Sequence, residues 1–133
     1  MPRSLRSEDF LKFADRLAAL GAEPRLRIIC HLLRAHPKGM VAGEIQSELG
    51  MQPSAVSHHL EKLRNENLVR VQRQGTFLRY RANPEILEEL LGFLLSQCCA
   101  GSCAVKAENV FQLCRADAAP AAWRPRKEHK QAP

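Results

Sequence analysis

No stretch of this chain comes near the ~20 apolar residues needed to cross a bilayer. The opening Met1-Pro-Arg-Ser-Leu-Arg6 also has no apolar segment of the kind that directs secretion. A cytoplasmic protein with no membrane contact is expected. Enzyme signatures are missing too. There is no Cys-x-x-Cys, no glycine-rich phosphate loop, no His-Glu-x-x-His and no acidic pair set for acid–base work. Catalysis is not expected. Acid does not balance base: 20 Lys+Arg face 14 Asp+Glu, a formal net charge of +6 that favours an anionic partner. Five cysteines cannot all pair within one chain, and in a reducing compartment they are read as thiols. What is present, 133 residues at 45% hydrophobic and 26% charged, suffices for one folded domain with a tail.

Hydrophobic spacing organises that domain. Phe10, Phe13, Leu17 and Leu20 predict an amphipathic helix closed by Gly21. Pro24 suits the first turn of a second helix, whose stripe is Leu26, Ile29 and Leu33, broadened by Ile28 and Leu32. Cys30 falls among these residues and is expected in the core. After the loop His36-Pro37-Lys38-Gly39, a short helix is expected from Ala42 to Leu49, with Gly50 as its left-handed stop. The next helix starts at Gln52-Pro53 and turns Val56, Leu60 and Leu63 inward. Leu68–Gln74 and Phe77–Arg81 alternate around Gln74-Gly75 and read as a β-hairpin. Asn83-Pro84 then opens a leucine-rich helix to about Gln97, with Asn83 as cap.

Two short helices joined by a tight glycine-containing turn form a helix-turn-helix, and the hairpin after it makes a winged helix. The fold class is therefore mainly α with a small β-hairpin. In such a pair the second helix enters the DNA major groove with its N-terminal residues on base edges. Here these are Gln52, Ser54, Ala55, Ser57 and His58. Gln can bond an adenine edge in two places, Ser can donate or accept, and Ala can meet a thymine methyl. Lys62 and Arg64 lie further along, where phosphates are the expected partners, and Arg70, Arg73, Arg79 and Arg81 suit a wing laid on the backbone. The last helix is more apolar than one side of a small domain requires, so its second face is expected on another copy of the chain. Residues 1–99 form the expected DNA-binding and dimerisation domain. Residues 100–133 form a cysteine-containing tail, with a short helix expected around Val105 to Leu113 and a largely flexible stretch after about 115.

The stretch Leu17 to Arg81 resembles the ArsR/SmtB family of bacterial winged-helix metalloregulators. The residues that carry the likeness are Arg16-Leu-Ala-Ala-Leu20, Pro24-Arg-Leu-Arg-Ile28, Val56-Ser-His-His-Leu-Glu-Lys-Leu63, Leu68-Val69 and Tyr80-Arg81. The resemblance implies a homodimer that represses a promoter through double-stranded operator DNA and releases it on binding a metal. Two sensing sites used in that family are absent here. Gly39–Glu44 contains no Cys-x-Cys pair, and Pro84–Gln97 contains neither His nor Asp.

Cys98, Cys99 and Cys103 remain as the candidate inducer site. Thiolates select soft ions, and three of them without His or carboxylate suit the sulfur pyramid of trivalent arsenic, As(III), or antimony, Sb(III). Adjacent cysteines on a regular helix point ~100° apart, so the helix end must unwind, and Gly101 supplies backbone freedom. Open alternatives on the same frame are a thiol redox sensor that uses these same cysteines, a two-thiol organoarsenical site, and Cd, Pb or Cu(I). Whether the thiols come from one chain or two is equally open, as is a part for Cys114.

Overall fold

The structure is a computed structural model that describes residues 6–98, 105–106 and 108–109, with Cys98 described by its backbone. Contacts divide the chain into two units, Met1–Leu94 and Leu95–Pro133, and the first carries the fold. Among the described residues the order is α1 (Ser7–Leu20), α2 (Glu23–Arg34), β1 (Met40–Val41), α3 (Ala42–Leu49), α4 (Pro53–Asn65), β2 (Val69–Gln74), β3 (Phe77–Ala82) and α5 (Pro84–Cys98).

Each boundary has a local cause. The Asp9 carboxylate accepts the Arg6 N–H at 3.2 Å, and Glu44 does the same for Val41 at 3.2 Å. In both cases a side chain in the first turn satisfies a donor that the helix leaves over. Pro24 and Pro53 sit in first turns, where the missing N–H costs nothing. Gly50 closes α3 at φ 61°, and the following Met51 N–H reaches the Gln46 carbonyl. Only Gly50, Met51 and Gln52 separate α3 from α4, which is the tight turn that the sequence predicts.

The core is built where α2, α3 and α4 meet the sheet. Ile28, Ile29, Leu32, Ile45, Leu49, Val56, Leu60, Leu63, Leu68 and Val69 are all buried there. The inward line of α2 is thus 28, 29 and 32. Leu26 and Leu33, expected in the stripe, are largely exposed. Cys30 is exposed as well, which corrects its expected core position. Two residues past Ile28, at ~100° per residue, a side chain has turned away from the core. On α1 the buried residues are Phe13, Arg16 and Ala19, while Phe10 and Leu17 stay exposed. Phe13 stacks on Phe93 of α5 at 4.0 Å between centroids, and Phe10 meets the same ring edge-on at 5.4 Å.

The sheet has three strands in the order β1-β3-β2, all antiparallel. The hairpin is as expected. β1 was not expected, since Met40 and Val41 lie between a loop and a helix; they pair with Tyr80 and Arg79. Gly39 makes this possible. Its φ is +75°, and a Cβ there would lie 2.3 Å from the Tyr80 carbonyl oxygen, so only glycine fits. Asn83 also departs from expectation. Its side chain does not cap α5 but donates to the Asn67 carbonyl at 2.9 Å, tying the end of the hairpin to the α4–β2 turn.

Candidate nucleic-acid interface

The inward residues of α4 fix what its other side presents. With Val56, Leu60 and Leu63 in the core, Ser54, Ser57 and His58 are turned outward and exposed. Gln52 is the N-cap residue and exposed, and Ala55 is half-buried beside them. These five surround the start of the helix, where N–H groups and the positive end of the dipole also point outward. Lys62 and Arg64 are exposed further along. At ~100° per residue they lie about 80° to either side of Ser54, so they flank the outward face and do not sit at its centre.

Glu61 and Asn65 occupy that centre in the second half of the helix, both exposed. Sequence reading passed over them because it counted basic residues. The Glu61 carboxylate is unfavourable beside phosphate, so the cationic part of this half of the helix is carried at its flanks by Lys62 and Arg64.

His59 faces the other way. Its Nδ1 is buried and has no hydrogen-bond partner among the described residues. Burial holds its pKa below the ordinary 6.5, helped by the charges of Arg25, His58 and Lys62. Arg25 is itself anchored: its Nε donates to the Ala19 carbonyl at 2.6 Å and its Nη2 to Ala18 at 3.4 Å. A side chain of α2 therefore closes the carbonyl end of α1 and also biases a histidine of α4.

Strand register sorts the arginines of the wing. Arg70 pairs with Arg81 and Gln72 with Arg79, placing all four on one face of the hairpin. Arg73 pairs with Leu78 on the opposite face, so Arg70 and Arg73 cannot meet one flat surface together. Arg79 is half-buried and committed within the fold, with Nε donating to Gln74 Oε1 at 2.8 Å and Nη1 to the Gly39 carbonyl at 3.4 Å. Phe77 and Leu78 at the tip are largely exposed, a feature that the alternation alone did not reveal.

Of the candidate inducer ligands, Cys98 is the last residue of α5, and its side chain lies outside the described residues, as do Cys99 and Cys103. Further down α5 from that end, Glu89 accepts from Lys12 at 2.7 Å and pairs with Arg16 at 3.4 Å. The Lys12 hydrogen bond, with the Arg16 charge, holds the Glu89 carboxyl below its ordinary 4.5.

Comparison with known proteins identifies this arrangement. The family described as "Bacterial regulatory protein, arsR family" matches residues 23–71, from α2 into β2. The nodulation protein NolR of Rhizobium meliloti is 32% identical over 89 residues, covering 67% of this chain and 70% of that protein. The chain belongs to the arsR family. Among solved structures, the antimony-specific transcriptional repressor AntR is 29% identical with a TM-score of 0.56, covering 73% of this chain and 88% of that one. Reduced HlyU from Vibrio cholerae N16961 is 29% identical with a TM-score of 0.54, covering 70% and 94%. This arsR-family chain is accordingly a DNA-binding transcriptional regulator. Among its described residues, no helix is long and apolar enough to cross a membrane.

Proposed function

We propose that this chain is a homodimeric repressor that releases operator DNA when trivalent arsenic or antimony binds Cys98, Cys99 and Cys103. The observation that carries the reading is the run of three cysteines within six sequence positions that begins at Cys98, the last residue of α5, in a chain whose solved structural neighbours include an antimony-specific repressor. Dimerisation is supported by α1 and α5, which join through Phe13 and Phe93 yet leave Phe10, Leu11, Leu17, Leu91 and Leu94 largely exposed. Two such copies would set their α4 helices into successive major grooves ~34–36 Å apart. For release, the ion must favour the dimer geometry that does not fit DNA, since a ligand shifts only the states it discriminates between. A coupling of ~1–3 kcal/mol corresponds to a ~5–150-fold loss of operator affinity.

The test is an operator titration by fluorescence anisotropy with arsenite, antimonite, zinc and peroxide added separately. Arsenite or antimonite should release the wild type, while Cys98→Ser and Cys99→Ser should bind the operator and ignore both. Normal induction of both variants would remove the site.

A second reading, a thiol redox sensor, is favoured by one observation: Cys30 is exposed on α2 and so open to oxidants. The solved relative described as reduced HlyU supports it. Under this reading peroxide alone releases DNA, Cys30→Ser abolishes that release, and mass spectrometry finds Cys30 oxidised.

A further inference from the structure

Outside the α4 surface, the base of the hairpin holds two arginines in an unusual arrangement. Arg70 and Arg81 are directly opposite in the β2–β3 ladder, and like charges so placed destabilise a strand pair. Only one carboxylate answers them among the described residues. Glu85 lies 4.0 Å from Arg70, and both side chains are about two-thirds exposed at 67% and 68%, a geometry worth little in water. Arg81 gains nothing from it. Its Nε is buried and has no hydrogen-bond partner among the described residues, and its stem lies against Gly39, where an added Cβ would come within 2.7 Å of Arg81 Cγ.

A groove of about 320 Å³ opens on this pair, with His36 and Gln72 in its wall. Pro84, the first residue of the 15-residue α5, also lines it, so the start of that helix borders the same space. Two guanidiniums, an imidazole, an amide and a helix start thus converge against one carboxylate. We propose that this groove binds a small oxyanion, a phosphate or organic phosphate held between Arg70 and Arg81. Guanidinium forks match the geometry of phosphate oxygens. Nearby Pro37 and Ala82 give apolar wall for an organic body, and the volume is at the low end of small-molecule sites. An occupant would fasten the root of the wing to the start of α5. A backbone phosphate of DNA supplies the same chemistry, so the experiment separates the two sources.

The full chain is titrated with inorganic phosphate and with phenyl phosphate by calorimetry, chloride holding the ionic strength constant. Saturable binding is expected for wild type, weakened tenfold or more in Arg70→Gln and Arg81→Gln, and unchanged in Arg27→Gln, a charge-matched control on α2. Thermal melts establish that each variant is folded. If neither probe binds, operator titrations decide. An Arg81→Gln variant with lower affinity and a salt slope reduced by about one assigns the groove to a DNA phosphate. Probe binding that is equal in all variants overturns the site. So does no probe binding together with an unchanged operator affinity for Arg81→Gln.

Discussion

Gly39 and Gly50 both adopt positive φ, +75° and +61°, but their surroundings differ. An added methyl at Gly50 meets nothing within 4 Å, whereas at Gly39 it runs into the Tyr80 carbonyl. Gly50→Ala should therefore cost only the left-handed backbone penalty, about 1–2 kcal/mol. Gly39→Ala should cost about 2–4 kcal/mol, since strain and overpacking combine. Urea melts of the two variants should rank them in that order. The same scale holds two acid-sensitive groups. His59 has a folded pKa below 6.5, so the unfolded chain takes up its proton first, and stability should begin to fall as pH drops through 6.5. Glu89 is held below 4.5, so its contribution is intact above that value and is lost only as pH falls further. Stability measured against pH should show the first decline disappear in His59→Gln and the second disappear in Glu89→Gln. Some of this detail had no sequence signal. Arg79 looked like any other wing arginine, and its commitment to Gly39 depends on a carbonyl forty positions away.

Among the elements, α4 has the most direct tie to function, because its core-facing leucines and its outward polar residues are set by the same 3.6-residue period. Ser57→Ala combined with His58→Ala alters two exposed side chains and no buried one. Specific operator binding should drop by tenfold or more, since each good base-edge contact is worth about 1–3 kcal/mol, while thermal stability should stay near wild type. An unchanged affinity would remove these two residues from the recognition surface. This element was legible in the sequence because Gly50 and Pro53 punctuate it. α2 was legible in extent but not in orientation. Apolar residues at 26, 28, 29, 30, 32 and 33 span an arc of about 200°, wider than one buried face, so periodicity does not say which edge of the arc is buried, and Cys30 falls on the exposed edge. β1 is two residues long and is defined entirely by its pairing to β3. Local sequence has no means of announcing such a strand.

For the whole molecule, the +6 charge and its distribution govern association with DNA. Lys62, Arg64, Arg70 and Arg73 are all exposed. If each protomer of a dimer neutralises about three phosphates with Lys62, Arg64 and one of the two wing arginines, operator affinity should fall about 10³-fold between ~50 and ~200 mM salt. A nearly flat salt response would show that the wings do not lie on the backbone. The order of elements and the family were legible from the sequence, because turn chemistry and the Val56–Leu63 motif repeat what local physics requires.

The strand order β1-β3-β2 has one more consequence, for solubility. β3 carries the exposed Phe77 and Leu78, and a long, flat, apolar strand left at a sheet edge is a template for self-association. Here β3 is the middle strand. One free edge is β1, too short to recruit another chain, and the other is β2, where Arg70, Gln72, Arg73 and Gln74 discourage stacking. On the β1 side β3 is paired only at Arg79 and Tyr80, which leaves two residues at each of its ends, Phe77–Leu78 and Arg81–Ala82, without a strand partner among the described residues. The open stretches are short, so the wing can present an apolar tip in a crowded cell while offering little template for self-association.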